Sequence, residues 1–178
     1  MQKKIVVIIG GPGSGKTSII NFLIENDYCC YPEISRQVTL DAQKRGIDQL
    51  FLDQPLLFSQ LLLEGRVTQF ESAKKAAFDV VFIDRGIPDV LAYMDFIGDK
   101  FPDDFSKACE ENRYDTIFLL PPWQEIYVSD EARYENFEQA KIIHKHLIET
   151  YQKFGYQMIE VPKDSVKNRV DFILKALD

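Results

Sequence analysis

Residues 5–20 read IVVIIGGPGSGKTSII. The aliphatic run Ile5 to Ile9 is what a strand covered on both faces shows, as in a parallel sheet lying between helices. A glycine-rich turn follows, and Lys16 and Thr17 then open a stretch with helical spacing. Gly10, four further residues, then Gly15, Lys16 and Thr17 spell G-x-x-x-x-G-K-[ST], and the pattern stands where it must, after a strand and at the start of a helix. Glycines let the backbone curl until successive N–H groups face one concavity, and the helix adds its N-terminal partial positive charge. Such a concavity suits a di- or triphosphate. The nucleotide-contacting set expected here is Gly10, Gly11, Pro12, Gly13, Ser14, Gly15, Lys16, Thr17 and Ser18. Lys16 is expected to reach the β- and γ-phosphates, and the Thr17 hydroxyl to ligate Mg²⁺.

A dinucleotide fingerprint competes for the same glycines, because Gly11 and Gly13 supply G-x-G and Glu33 stands about 20 residues on. The third glycine of that fingerprint is replaced by Lys16, which serves a phosphoryl group and would crowd a helix packed on a sheet. A dehydrogenase is therefore disfavoured.

Working outward, 178 residues with 46% hydrophobic and 12% aromatic content fit one domain, residues 1–178, with a substantial core. Lys and Arg number 21 against 28 Asp and Glu, a net charge of −7, which lacks the footprint of a general nucleic-acid binder. Cys29, Cys30 and Cys109 cannot all pair, and adjacent cysteines suit an ordinary disulfide poorly, so a reducing, cytoplasmic setting is expected. No apolar run approaches the ~18 residues of a membrane span.

Apolar runs recur at 79–85, 115–122 and 156–162, with a weaker one at 28–34. Helical spacing fills 16–26, about 35–45, 54–76, 88–97, 131–154 and 165–177. This alternation predicts an α/β doubly wound domain. The polar segment 98–114 reads as loop plus short helix. Leu56, Leu57, Leu61, Leu62 and Leu63 crowd one helix as core or as a cover over the site, and Cys29 and Cys30 read as buried strand residues.

The run FDVVFIDRG ends in Asp84, whose position after a buried strand suits a carboxylate that holds Mg²⁺ directly or through water. Arg85 beside it offers a planar fork for phosphate or a substrate hydroxyl, or else a surface salt bridge. In YPEISRQV, Glu33 and Arg36 emerge at the carboxyl edge of the sheet, where Glu33 either orients an acceptor hydroxyl or caps the helix that begins there. In SDEARYENFEQA, a helix start falls at Ser129 or Asp130, and Arg133 is the candidate for offsetting transition-state charge, against simple pairing with Asp130. Pro162, Lys163 and Asp164 follow the last strand, and with no N-K-x-D box to read guanine, ATP is favoured over GTP. His144 and His146, two apart, point to different faces of a helix and make no zinc site.

GGPGSGKT, PEISR, FIDRG and LPPW followed by SDEARYENFEQA resemble the AAA-type P-loop family that includes the ribosylnicotinamide kinase domain of the bacterial regulator NadR. The likeness runs over roughly residues 4–174. It implies a three-layer P-loop NTPase fold, with a five-stranded parallel sheet in the order 2-3-1-4-5 and a helical lid after the fourth strand. It also implies that Gly10 to Thr17 bind the nucleotide phosphates, that Glu33 and Asp84 serve metal or acceptor hydroxyl, and that Arg133 belongs to the lid. The adenylyltransferase domain and DNA-binding module that NadR carries have no counterpart here, so any part in NAD metabolism would be by the kinase step alone.

The expectation is a phosphotransferase that uses ATP and Mg²⁺, with Lys16, Glu33, Asp84, Arg85 and Arg133 as catalytic residues, Thr17 and Asp84 as metal ligands, and a small, nucleoside-like acceptor. The alternative is a regulatory ATPase whose nucleotide state sets its affinity for a protein or lipid partner.

Overall fold

The structure is a computed structural model that describes residues 3–128 and 135–177. In chain order it contains β1 (Lys4–Gly10), α1 (Lys16–Glu25), β2 (Cys29–Tyr31), α2 (Ser35–Lys44), α3 (Leu50–Asp53), α4 (Pro55–Lys75), β3 (Val80–Asp84), α5 (Pro88–Ile97) and α6 (Asp103–Glu111). Then follow β4 (Thr116–Leu120), a 3-10 turn (Gln124–Ile126), α7 (Phe137–Lys153), β5 (Met158–Glu160) and α8 (Val166–Lys175).

The five strands form one parallel sheet in the order β2-β3-β1-β4-β5. Successive side chains of β1 leave by opposite faces, and both faces are covered. Ile5, Val7 and Ile9 pack with Leu62, Phe70, Leu91, Ile143 and Leu147 of α4, α5 and α7. Val6 and Ile8 pack with Ile19, Leu23, Val170 and Ile173 of α1 and α8. Three layers result, which is why the strands read as continuous apolar runs and not as alternating ones.

Register decides where the site falls. Ile8 stands opposite Asp84, Gly10 opposite Leu120, and Tyr31 opposite Ile83. The turn after β1, Glu33 after β2 and Arg85 after β3 therefore emerge together at the carboxyl edge.

Local departures from the sequence reading have local causes. The described part of the helix expected over 131–154 begins at Phe137, where the Asn136 side chain accepts from Gln139 N at 2.9 Å and the Gln139 side chain accepts from Asn136 N at 2.8 Å. This reciprocal cap satisfies two amides of the first turn. Residues 129–134, Arg133 and the expected helix start at Ser129 or Asp130 among them, lie outside the described residues; of the segment expected to form a helical lid, the described part before α7 holds the 3-10 turn Gln124–Ile126. The polar segment 98–114 holds α6, nine residues long, which buries Phe105 and Cys109. Cys29 and Cys30 are half-buried, because β2 is three residues long and forms an edge of the sheet.

Candidate active site

Gly13 and Gly15 have φ of 72° and 89°, the left-handed region that only glycine enters without strain. At Gly11 the constraint is proximity, since a Cβ there would stand 2.9 Å from the Ala140 carbonyl oxygen of α7. The turn is tied internally by Ser14 Oγ, which donates to Gly11 O at 2.8 Å. Gly15 caps α1 without a side-chain hydrogen bond, and the first turn carries no acid. Its amides and partial positive charge are thus left for an external anion.

Lys16 is 7% exposed and folds over its own turn. Its Nζ donates to Gly10 O at 2.8 Å, to Gly11 O at 3.0 Å and to Ser14 Oγ at 3.4 Å. Burial, with Arg85 adding to it, pulls its pKa down to about 7 against the opposing pull of Asp84, Glu33 and Asp89. Thr17 and Ser18 stay exposed at the start of α1.

Asp84, 5% exposed at the end of β3, is held above the usual carboxylate range by burial, which outweighs Lys16 and Arg85. Its Oδ1 is buried without a hydrogen-bond partner among the described residues. This orphaned oxygen and the Thr17 hydroxyl are donors that fit a hard cation. Among the described residues no three His, Cys, Asp or Glu side chains form a ready metal cluster. A cation here would complete its shell with phosphate oxygens and water, the habit of Mg²⁺.

Glu33 is engaged on both oxygens. Oε1 accepts from Ile34 N at 3.0 Å, from Ser35 N at 3.1 Å and from Arg66 Nη2 at 3.2 Å, and Oε2 pairs with Arg85 Nε. The capping role is present, and so is a charge role. Burial pushes the carboxyl pKa up, but Arg66, Arg85 and the Ser35 amide outweigh it and hold it below the ordinary value.

Arg85 is no surface salt bridge, since its side chain is 14% exposed. It adopts φ 69°, a conformation that side-chain-bearing residues rarely take. This sends its guanidinium toward Glu33, within 3.7 Å of Asp89 Oδ1 and 5.7 Å from the Tyr93 ring centroid.

Arg66 and Asp89 escaped the sequence reading. Arg66, 4% exposed, also donates to Gly86 O at 2.6 Å, and Asp89 Oδ2 accepts from Gly86 N at 2.9 Å and from the Tyr151 hydroxyl at 2.6 Å. Together they fix the turn that carries Arg85. The signal for Arg66 was its place on the buried stripe Leu62, Leu63, Arg66, Phe70, Ala73 of α4, where a charge needs a partner. Arg36 lies exposed on α2, and Asp164 caps the approach to α8 by accepting from Ser165 N and Asn168 Nδ2.

This arrangement, a strand, a glycine turn with its lysine and a second strand ending in an acid, lies within the span 5–169 that matches the family model described as an AAA domain. The chain belongs to the AAA domain family. Searched against curated proteins, this AAA domain finds no match. Solved structures share its fold. Deoxyadenosine kinase from M. mycoides with bound products aligns at TM-score 0.70 and 17% identity, over 97% of this chain and 98% of that one. NadR in complex with NR aligns at 0.75 and 19%, over 98% of this chain and 50% of NadR. Thymidylate kinase from Ehrlichia chaffeensis aligns at 0.65 and 16%, over the full length of both chains. Among the described residues of this AAA domain no helix is long and apolar enough to cross a membrane.

Proposed function

We propose that this AAA domain is an ATP- and Mg²⁺-dependent phosphotransferase acting on the hydroxyl of a small, nucleoside-like acceptor. The observation that carries this reading is the meeting, at one sheet edge, of the Lys16 turn, a buried carboxylate with a free oxygen (Asp84), and a second carboxylate held ionised by two arginines (Glu33). A nucleotide switch needs the first two; the third, at the same edge, supports a place for an acceptor hydroxyl beside them. The likeness to deoxyadenosine kinase and NadR in complex with NR supports the choice of a nucleoside-like acceptor.

In this reading Lys16 leaves the Gly10 and Gly11 carbonyls for the β- and γ-phosphates, while the turn amides hold their oxygens. Thr17 and Asp84 hold Mg²⁺, which when bound neutralises charge on the transferring group. Glu33 positions the acceptor hydroxyl in line with the γ-phosphorus. Its depressed pKa makes it a weak base, which suffices because a loose phosphoryl-transfer transition state demands positioning more than early proton removal. Arg85 fixes Glu33, and Arg133 is assigned to the lid.

The test is turnover of labelled ATP with Mg²⁺ and a panel of nucleosides, nucleotides and sugars. A nucleoside is expected to become phosphorylated, and Lys16→Met to lower transfer by at least about 100-fold in a protein that still unfolds cooperatively. Slow hydrolysis of ATP that no acceptor accelerates would refute the kinase reading.

A further inference from the structure

Arg169, the fourth residue of α8, is a buried cation without a counter-charge among the described residues. It is 2% exposed, and burial pulls its guanidinium pKa below the ordinary value with no carboxylate acting against that pull. Its Nε has no hydrogen-bond partner among the described residues. Its Nη2 donates to Ser14 O at 3.2 Å, and its Nη1 lies where a Cβ on Gly15 would come within 2.8 Å, so the guanidinium rests directly against the Ser14–Gly15 peptide. The guanidinium carbon stands 5.7 Å from the ring centroid of Trp123, the chain's one tryptophan.

A trans peptide carries its C=O and its N–H in opposite directions. Holding the Ser14 carbonyl toward α8 therefore directs the Gly15 N–H away from α8. An isolated buried guanidinium is costly unless an anion lies near it, and one peptide unit away is the turn read above as the polyanion site. A polyanion there supplies the missing counter-charge through that peptide.

We propose that Arg169 is a positioning residue of the phosphate cradle: it aims the Gly15 N–H at the bound polyanion and couples occupancy of the cradle to Trp123. This rests on reading the glycine turn as a polyanion site, and the experiment separates the two. Inorganic tripolyphosphate serves as the probe, because it has no base to stack on Trp123 and any change in emission must pass through the protein. Calorimetry gives the affinity, and Trp123 emission gives the coupling.

The wild-type protein is expected to bind tripolyphosphate with a change in Trp123 emission. Arg169→Met is expected to bind about tenfold more weakly or worse, the scale of one lost charge-assisted hydrogen bond, and to lose the emission change. Arg169→Lys, which keeps the charge and one donor, is expected to recover part of the affinity. Wild-type affinity and emission response in folded Arg169→Met overturn the inference while leaving the cradle intact. Absence of any binding by the wild type overturns both. Should Arg169→Met fail to fold, the unaltered protein labelled with ¹⁵N at glycine and arginine decides. The Gly15 amide and the Arg169 Nε signals must shift as tripolyphosphate is added, and signals that stay in place overturn the inference.

Discussion

Replacing Gly86 by alanine tests the turn that carries Arg85. A Cβ at this position would overlap the Tyr151 hydroxyl and lie 3.0 Å from Tyr114 Cε2 and 3.3 Å from Val7 Cγ1. None of the three can retreat into solvent, since Tyr151 and Val7 are fully buried and Tyr114 is 5% exposed. If Tyr151 moves, Asp89 Oδ2 loses its 2.6 Å hydrogen bond inside the core. Overpacking costs about 1–3 kcal/mol, and a buried Tyr151 hydroxyl left without its acceptor about 1–3 more. For a chain of this size about 2–4 °C of melting temperature accompanies each kcal/mol, so a fall of roughly 5–20 °C is expected. The assay is urea and thermal unfolding of Gly86→Ala, Tyr151→Phe and the double variant, followed by circular dichroism. Tyr151→Phe deletes the atom that the new methyl strikes, so the double variant should be less destabilised than the two single changes combined, by about 1 kcal/mol or more. The remaining contacts with Tyr114 and Val7 keep the rescue partial. Strict additivity, or a Gly86→Ala protein within about 1 kcal/mol of wild type, would refute this account of the turn.

Glu33→Gln removes the charge between Arg66 and Arg85 while keeping the side chain's shape. Two buried guanidiniums are then left facing each other, and a loss of about 2–4 kcal/mol is expected, tempered by the partial exposure of Glu33; an unchanged melting temperature would count against the network. Asn136→Ala strips the reciprocal cap from α7 and should cost about 1 kcal/mol, visible in urea unfolding, with tripolyphosphate affinity unaffected. A cap that also alters tripolyphosphate binding would show that α7 does more than support the turn at Gly11.

What the sequence made legible was whatever is encoded in neighbours along the chain. The turn at residues 10–17 announces itself because its geometry requires glycine at particular steps, and Asp84 because a carboxylate ending a buried apolar run is conspicuous. The order of the strands came from family resemblance, since no local pattern says which strand lies beside which. Arg66 was missed because its partner Glu33 lies 33 residues away, and Arg169 because Ser14 lies 155 residues away. The expected helix start at Ser129 or Asp130 lies outside the described residues; what the sequence reading did not single out is the reciprocal cap of Asn136 and Gln139, which starts α7 at Phe137. Cys29 and Cys30 were read as buried because a short apolar run looks the same at the rim of a sheet as in its middle.

The side chain of Lys16 sets a threshold on what the turn will admit. At rest its amino group is already held by Gly10 O, Gly11 O and Ser14 Oγ, so an arriving anion competes with three oxygens for it. Chloride or a lone phosphate offers too little in exchange for three oxygen contacts, whereas a chain of linked phosphates offers several charges at once. On the proposed function, the same residue that would grip a polyphosphate would thus disfavour the smaller anions around it.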